Sequence, residues 1–446
     1  MIKKIGSLCL SLVLVLSLVG CGNKEVVTPA PSIPQPAPEV SVPEVPETPE
    51  IVESEPEIES EIEPEIDIES INFGEGSYDL RLFSTLLLND ENIQNNLCVS
   101  PFSLKQALLM VLQGAEDGSN SYKELSKFLG YSGSIAEINK NIRQDNILLS
   151  SSESATFDIS NLVLLDDSFA KSANIETNFI KPLEEYYFAK VLDKDLQTED
   201  IVLDVNNFVN EATKGTIPEM INKPFNDITK SVLLNAIYFL GKWENPFDAY
   251  STYTRDFNGI NGITQVDMMQ DGRNILYKET ELYKSIIMPY KSDESVINTP
   301  KFEMVLFIPT DEHEQNIFEI FNNLSVEEQE YLLNSDIKDY SYEDVIVRIP
   351  KFEINNTIDL METVEEMGLK YSVSEGFEIS NILQKTYIKV DEEGTEASAV
   401  TMIEMSNSCV VLEEPPKEFF ADKPFMYMIR DSYTNSILFM GVISNL

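Results

Sequence analysis

Residues 392–405 read Glu392-Glu393-Gly394-Thr395-Glu396-Ala397-Ser398-Ala399-Val400-Thr401-Met402-Ile403-Glu404-Met405. Taken two apart, Thr395, Ala397, Ala399, Thr401, Ile403 and Met405 fall on one face, all small or apolar, while Glu396, Ser398, Val400, Met402 and Glu404 form a mixed opposite face. Period-two alternation is the mark of an extended strand with one buried side. Small residues on that side matter if the segment must enter a sheet that is already packed, because a close-packed interior has no room for bulk. No proline interrupts the run before Pro415, so no ladder hydrogen bond is forfeited. Gly394 stands where a hinge helps.

The flanking sequence supplies helices and sheets. Ser100-Pro101 opens a helix, with serine as N-cap and proline in the first turn. Leu104, Ala107, Leu108, Val111 and Leu112 line its buried face and Gly114 closes it. Ser121 and Glu124 have capping-box spacing, and 205–212 reads as helix. Residues 231–240 (SVLLNAIYFL) and 301–309 (KFEMVLFIP) read as buried strands. Residues 345–352 alternate with Val345, Val347 and Ile349 on one face, and 425–429 and 436–443 read as closing strands. Helices gather early and strands late, which predicts an α+β fold.

The chain has 446 residues and a formal net charge of −44. That sign repels phosphate backbones and heparin-like polyanions, so neither nucleic acid nor such a polyanion is expected as a partner. His313 is the single histidine, next to a predicted loop and read as a solvated surface residue; a lone imidazole removes most chemistry that needs an imidazole pair or a histidine-based triad. No Gly-rich phosphate loop, zinc-binding helix, nucleophile elbow or Cys-x-x-Cys pair is present. No cofactor or metal is called for, and the protein is read as a non-enzyme. The rival enzyme reading, a carboxylate-dependent hydrolase, has no carboxylate pair singled out by spacing.

Residues 1–20 read as an export signal, with Lys3 and Lys4 ahead of an apolar run that ends Leu18-Val19-Gly20-Cys21. The ending resembles the bacterial lipobox, which makes Cys21 a lipidated N-terminus and places the protein on the cell surface, held to the membrane only through its lipid. An ordinary secretory signal is the alternative. Residues 24–70 hold ten of the 22 prolines and fourteen acidic residues against Lys24. Proline stiffness and like-charge repulsion make 21–70 a disordered, extended spacer, which at about 3.1 Å per residue reaches on the order of 150 Å. A folded domain follows over 71–446. Cys98 reads as a small buried hydrophobe.

Segments from 96 to 441 together resemble the serpin family. They are Asn96-Leu97-Cys98-Val99-Ser100-Pro101-Phe102-Ser103, Val205-Asn206-Asn207-Phe208-Val209, 234–244 (LNAIYFLGKWE), Val266-Asp267-Met268-Met269, Met288-Pro289-Tyr290, Pro350-Lys351-Phe352, 392–401, Asp422-Lys423-Pro424-Phe425 and Leu438-Phe439-Met440-Gly441. They occur in family order.

The resemblance implies three β-sheets, eight or nine helices and an exposed reactive loop. It also implies monomeric, suicide-type inhibition of a serine protease by loop cleavage and insertion into the main sheet. A non-inhibitory surface binding protein on the same scaffold is the alternative. Glu392, Gly394, Thr395, Glu396, Ala397, Ser398, Ala399, Val400 and Thr401 become the loop hinge. Family spacing puts the cleaved bond at Ser408–Cys409, with Asn407–Ser408 or Cys409–Val410 as alternatives; Cys409 also reads as an oxidisable loop thiol. Ser100, Ser103, Asn235 and Gln384 become a sheet-opening cluster, with Gln384 where relatives often carry histidine. Trp243, Lys351 and Glu392 become a cluster at the top of the sheet. No lysine or arginine lies between Val390 and Pro416. The expected target is therefore elastase-like or subtilisin-like, with a cysteine protease as a lesser option, and not trypsin-like.

Overall fold

The computed structural model describes residues 73–167, 179–292, 301–311, 316–370, 379–395 and 415–446, all within one compact unit, Pro64–Leu446. Cys21, the 21–70 spacer, His313 and Cys409 lie outside the described residues.

Ten α-helices form among them: α1 (Tyr78–Leu87), α2 (Asp90–Gln94), α3 (Pro101–Leu112), α4 (Asn120–Leu129), α5 (Ile135–Leu149), α6 (Lys181–Tyr187), α7 (Glu199–Ala212), α8 (Ile317–Asn323), α9 (Val326–Asn334) and α10 (Met361–Glu366). This exceeds the expected eight or nine because short turns such as α2 and α10 count as helices. Ser100 caps α3 as expected, its side chain accepting from the Ser103 N–H. The expected box at Ser121 and Glu124 does not form: Ser119 is the cap of α4, and Glu124 is buried and accepts from the Lys370 N–H at 3.1 Å. Complete boxes occur instead at Ser134/Glu137 and Ser325/Glu328.

The strands are β1 (Leu97–Val99), β2 (Ala155–Asp166), β3 (Lys190–Lys194), β4 (Ser231–Lys242), β5 (Tyr253–Gly259), β6 (Gly262–Glu279), β7 (Tyr283–Pro289), β8 (Phe302–Pro309), β9 (Ser341–Pro350), β10 (Phe352–Asp359), β11 (Asn381–Val390), β12 (Gly394–Thr395), β13 (Lys417–Phe420), β14 (Phe425–Asp431) and β15 (Ser436–Ile443). One sheet has six strands in the order β10-β11-β12-β4-β2-β3. The other has nine, β1-β15-β14-β8-β7-β6-β9-β13 with β5 on β6. The class is α+β as expected; among the described residues hydrogen bonding joins the strands into two sheets where three were expected. The cause is β6, which pairs with β5 over its first half and with β9 and β7 over its second.

The β4 side chains divide between two layers. Ile237 and Phe239 join Phe157 in a cluster with Met304, Leu306, Phe425 and Phe439 of the nine-stranded sheet. Val232, Leu234 and Ala236 face the other way, against Ile201, Val205 and Val209 of α7. Each fully buried side chain of this kind contributes about 1.5–3 kcal/mol. The same alternation turns Asn235 toward the inner layer and α3.

Candidate functional site

The centre of the six-stranded sheet is a parallel seam. β11 pairs with β4 from Asn381↔Val232 to Thr386↔Ile237, whereas β10–β11 and β4–β2 are antiparallel. At the upper end β12 sits between the two seam strands, with Val390↔Thr395 on one side and Gly394↔Lys242 and Thr395↔Gly241 on the other. It is antiparallel to both. An antiparallel strand inserted along such a seam replaces parallel pairing with two antiparallel ladders, the slightly more stable arrangement per residue.

The turn that delivers β12 is held from three sides. Carbonyls of three successive residues are satisfied by the segment after β4: Asp391 O accepts from Trp243 Nε1 at 3.0 Å, and Glu392 O and Glu393 O accept from the Phe247 and Trp243 N–H groups at 2.8 and 2.9 Å. Trp243 is 1% exposed and stacks on Tyr290 at 4.5 Å. Lys351 Nζ lies 2.8 Å from Glu392 Oε2, and Thr252 Oγ1 donates to Glu392 Oε1 at 2.8 Å. Burial pushes the Glu392 carboxyl up, but the hydrogen bonds from Lys351 and Thr252 outweigh it and the group sits below its ordinary value. Asp391 moves the opposite way, raised chiefly by burial.

Thr395 is fully buried, and its hydroxyl meets the Tyr290 hydroxyl at 2.6 Å. Gly394 has φ +155°, and a Cβ there would stand 2.1 Å from Gly241 O. Only glycine lets the hinge approach β4 this closely.

The lower seam is locked by uncharged groups. Gln384 and Asn235 are register partners across it. Gln384 Oε1 accepts from the Ser100 N–H at 2.7 Å and its Nε2 donates to Ser100 O at 3.0 Å. Ser103 Oγ donates to Asn235 Oδ1. The N-terminus of α3 thus grips both seam strands from beneath, and all four side chains are buried.

Both expected clusters come together. Sequence reasoning missed their outer members. Asn235 Nδ2 donates to Asn161 Oδ1 at 2.6 Å, and Asn161 Nδ2 reaches Tyr187 O at 2.9 Å. Thr386 Oγ1 donates to Cys98 O at 3.0 Å. Polar residues on the inward face of apolar strand runs were the available signal. Cys98 is buried and in no disulfide among the described residues, and burial pushes its thiol up to about 11. Hinge residues Glu396, Ala397, Ser398, Ala399, Val400 and Thr401, and the bond region Asn407, Ser408, Cys409 and Val410, lie outside the described residues.

A family model described as Serpin (serine protease inhibitor) matches residues 77–446. Leukocyte elastase inhibitor A of Rattus norvegicus is 28% identical over 396 residues, covering 84% of this chain and 99% of its own. Iripin-1 of Ixodes ricinus is 28% identical over 404 residues, covering 85% and 95%. The crystal structure of tengpin, a thermophilic serpin in the native state, aligns with TM-score 0.69 at 25% identity over 83% of this chain and 92% of its own. Human thyroxine-binding globulin complexed with its hormone aligns with TM-score 0.68 at 23% identity, covering 83% and 97%, a likeness of fold alone. The chain belongs to the serpin family.

Proposed function

We propose that the protein inhibits a serine protease as a suicide substrate. The observation that carries this reading is the seating of Gly394 and Thr395 as the first residue pair of an antiparallel strand inside a parallel seam. The protease serine oxygen attacks the carbonyl carbon of Ser408. The Ser408–Cys409 peptide bond breaks, the Cys409 amine leaves with a proton, and the loop remains joined to the enzyme as an ester. Its freed end then continues the insertion that β12 has begun, Ala397, Ala399 and Thr401 following Thr395 onto the buried face. The enzyme is carried with it before water reaches the ester.

A serine at the cut and the lack of a nearby cation direct the loop to elastase-like or subtilisin-like enzymes, as does the kinship with a leukocyte elastase inhibitor. The lipidated Cys21 and the 21–70 spacer hold the inhibitor at the cell surface. Replacing Cys21 with serine is expected to abolish fatty-acid labelling and release the protein.

The test is incubation with elastase, subtilisin and trypsin. The first two are expected to give a complex that survives denaturing gels, with a released fragment that begins at Cys409 by mass spectrometry. Cleavage without a complex would overturn inhibition in favour of a binding protein. Ser408→Arg is expected to bring trypsin into the set.

A further inference from the structure

Behind the hinge, between β6, β7 and β8, lies a cavity of about 300 Å³. Its wall is about equally polar and apolar: Ile275, Met288, Phe302 and Tyr290 form an apolar side, Asn274 and Lys301 line the polar side, and Arg273 joins them. The Arg273 side chain is only 11% exposed. Its guanidinium is fixed on two sides: Nη1 donates to Asn245 O at 2.8 Å, and its carbon lies 3.8 Å from the centre of the Phe247 ring. The remaining edge, Nε and Nη2, is buried without a hydrogen-bond partner among the described residues. Asp271 Oδ2 stands 3.4 Å from Nη2, a long ion pair that leaves Nε without a partner. Of the carboxylates in the wall, Glu303 is held by Arg430 at 2.7 Å and Glu244 is exposed.

Buried donors are rarely left unmade. The Nε–Nη2 edge is the fork that receives the two oxygens of a carboxylate in parallel. We propose that this cavity binds a small organic acid, its carboxylate on the Nε–Nη2 edge of Arg273 and its apolar body among Ile275, Met288 and Phe302. A volume of this size lies at the lower end of ordinary ligand pockets. Burial also pulls the guanidinium below its ordinary value, which a bound carboxylate would reverse. The site touches the hinge: Tyr290 bonds Thr395, and Phe247, on which Arg273 stacks, donates its N–H to Glu392 O.

Binding is tested without reference to any protease. Trp243 is the single tryptophan and stacks on Tyr290, so its fluorescence in the full-length protein reports occupancy. Octanoate is expected to produce a saturable change and octanol of equal chain length at least about tenfold weaker binding, the loss of one charge-assisted contact. Arg273→Lys, which keeps the charge but loses the fork, is expected to weaken octanoate by a similar factor. Absence of a saturable response to octanoate, by fluorescence and by calorimetry, would overturn the site. Equal binding of octanol would overturn carboxylate recognition, and that comparison needs no variant. Unchanged octanoate binding by folded Arg273→Lys would do the same.

Discussion

The two ends of the β4–β11 seam are closed by different chemistry. The lower end is bridged by Gln384 and Asn235 through the N-terminus of α3, with no titratable side chain among Ser100, Ser103, Asn235 and Gln384. The upper end is wedged by the chain itself, around an ion pair between Lys351 and Glu392 and a buried threonine. The lower lock must be broken for insertion to proceed, and its cost is a fixed set of hydrogen bonds. The upper wedge has already opened the seam by two residues and is sensitive to charge.

The largest expected effect erases the distinction altogether. Cutting the loop with a non-target protease should let β12 extend down the whole seam, and the melting temperature of the cut protein should rise by more than about 10 °C in calorimetry. No rise would mean the seam does not accept the loop. Next, Thr395→Arg places a charge where Thr395 is now fully buried. It should cut the yield of gel-stable complex at least about tenfold while cleavage continues; an unchanged yield would break the assignment of the wedge.

In the lower lock, Gln384→Leu leaves the buried Ser100 N–H without its acceptor. The expected loss is about 2 kcal/mol in urea unfolding, with the same difference at pH 7 and pH 5. A strongly pH-dependent difference would mean that a titrating group reaches this cluster.

The smallest effect belongs to the upper pair. Glu392→Gln should cost about 1 kcal/mol at pH 7, discounted because Lys351 is more than a third exposed. The Glu392 folded-state value lies below its ordinary 4.5. Its contribution is therefore complete above that pH and disappears as pH falls through the depressed value. Asp391, raised by burial, contributes in the reverse sense but is present in both proteins, so the difference between them isolates Glu392. A gap that widens on acidification would contradict the ion pair.

Local chemistry made the frame legible before any coordinates. Ser100 as a cap, the alternation at Val345, Val347 and Ile349, and the buried run 231–240 each depend on near neighbours, and each recurs in the structure. The resemblance supplied the long-range partnerships, placing Gln384 opposite Asn235 and Lys351 beside Glu392. What stayed hidden depends on distant side chains meeting. Nothing near Tyr290 announces Thr395, 105 residues away. Ser119 and not Ser121 caps α4, and Glu124 turns into the interior to accept from the Lys370 N–H, a partner 246 residues away. The merging of two sheets through β6 is likewise a property of strand length and partners, invisible to period alone.

The early threading of Gly394 and Thr395 bears on timing. Starting a new strand is the slow part, since an ordered end must be found before any ladder rewards it. Under the proposed mechanism that search is finished before a protease arrives. A loop severed in that way would have only to zip, and its contest with hydrolysis would start two residues ahead.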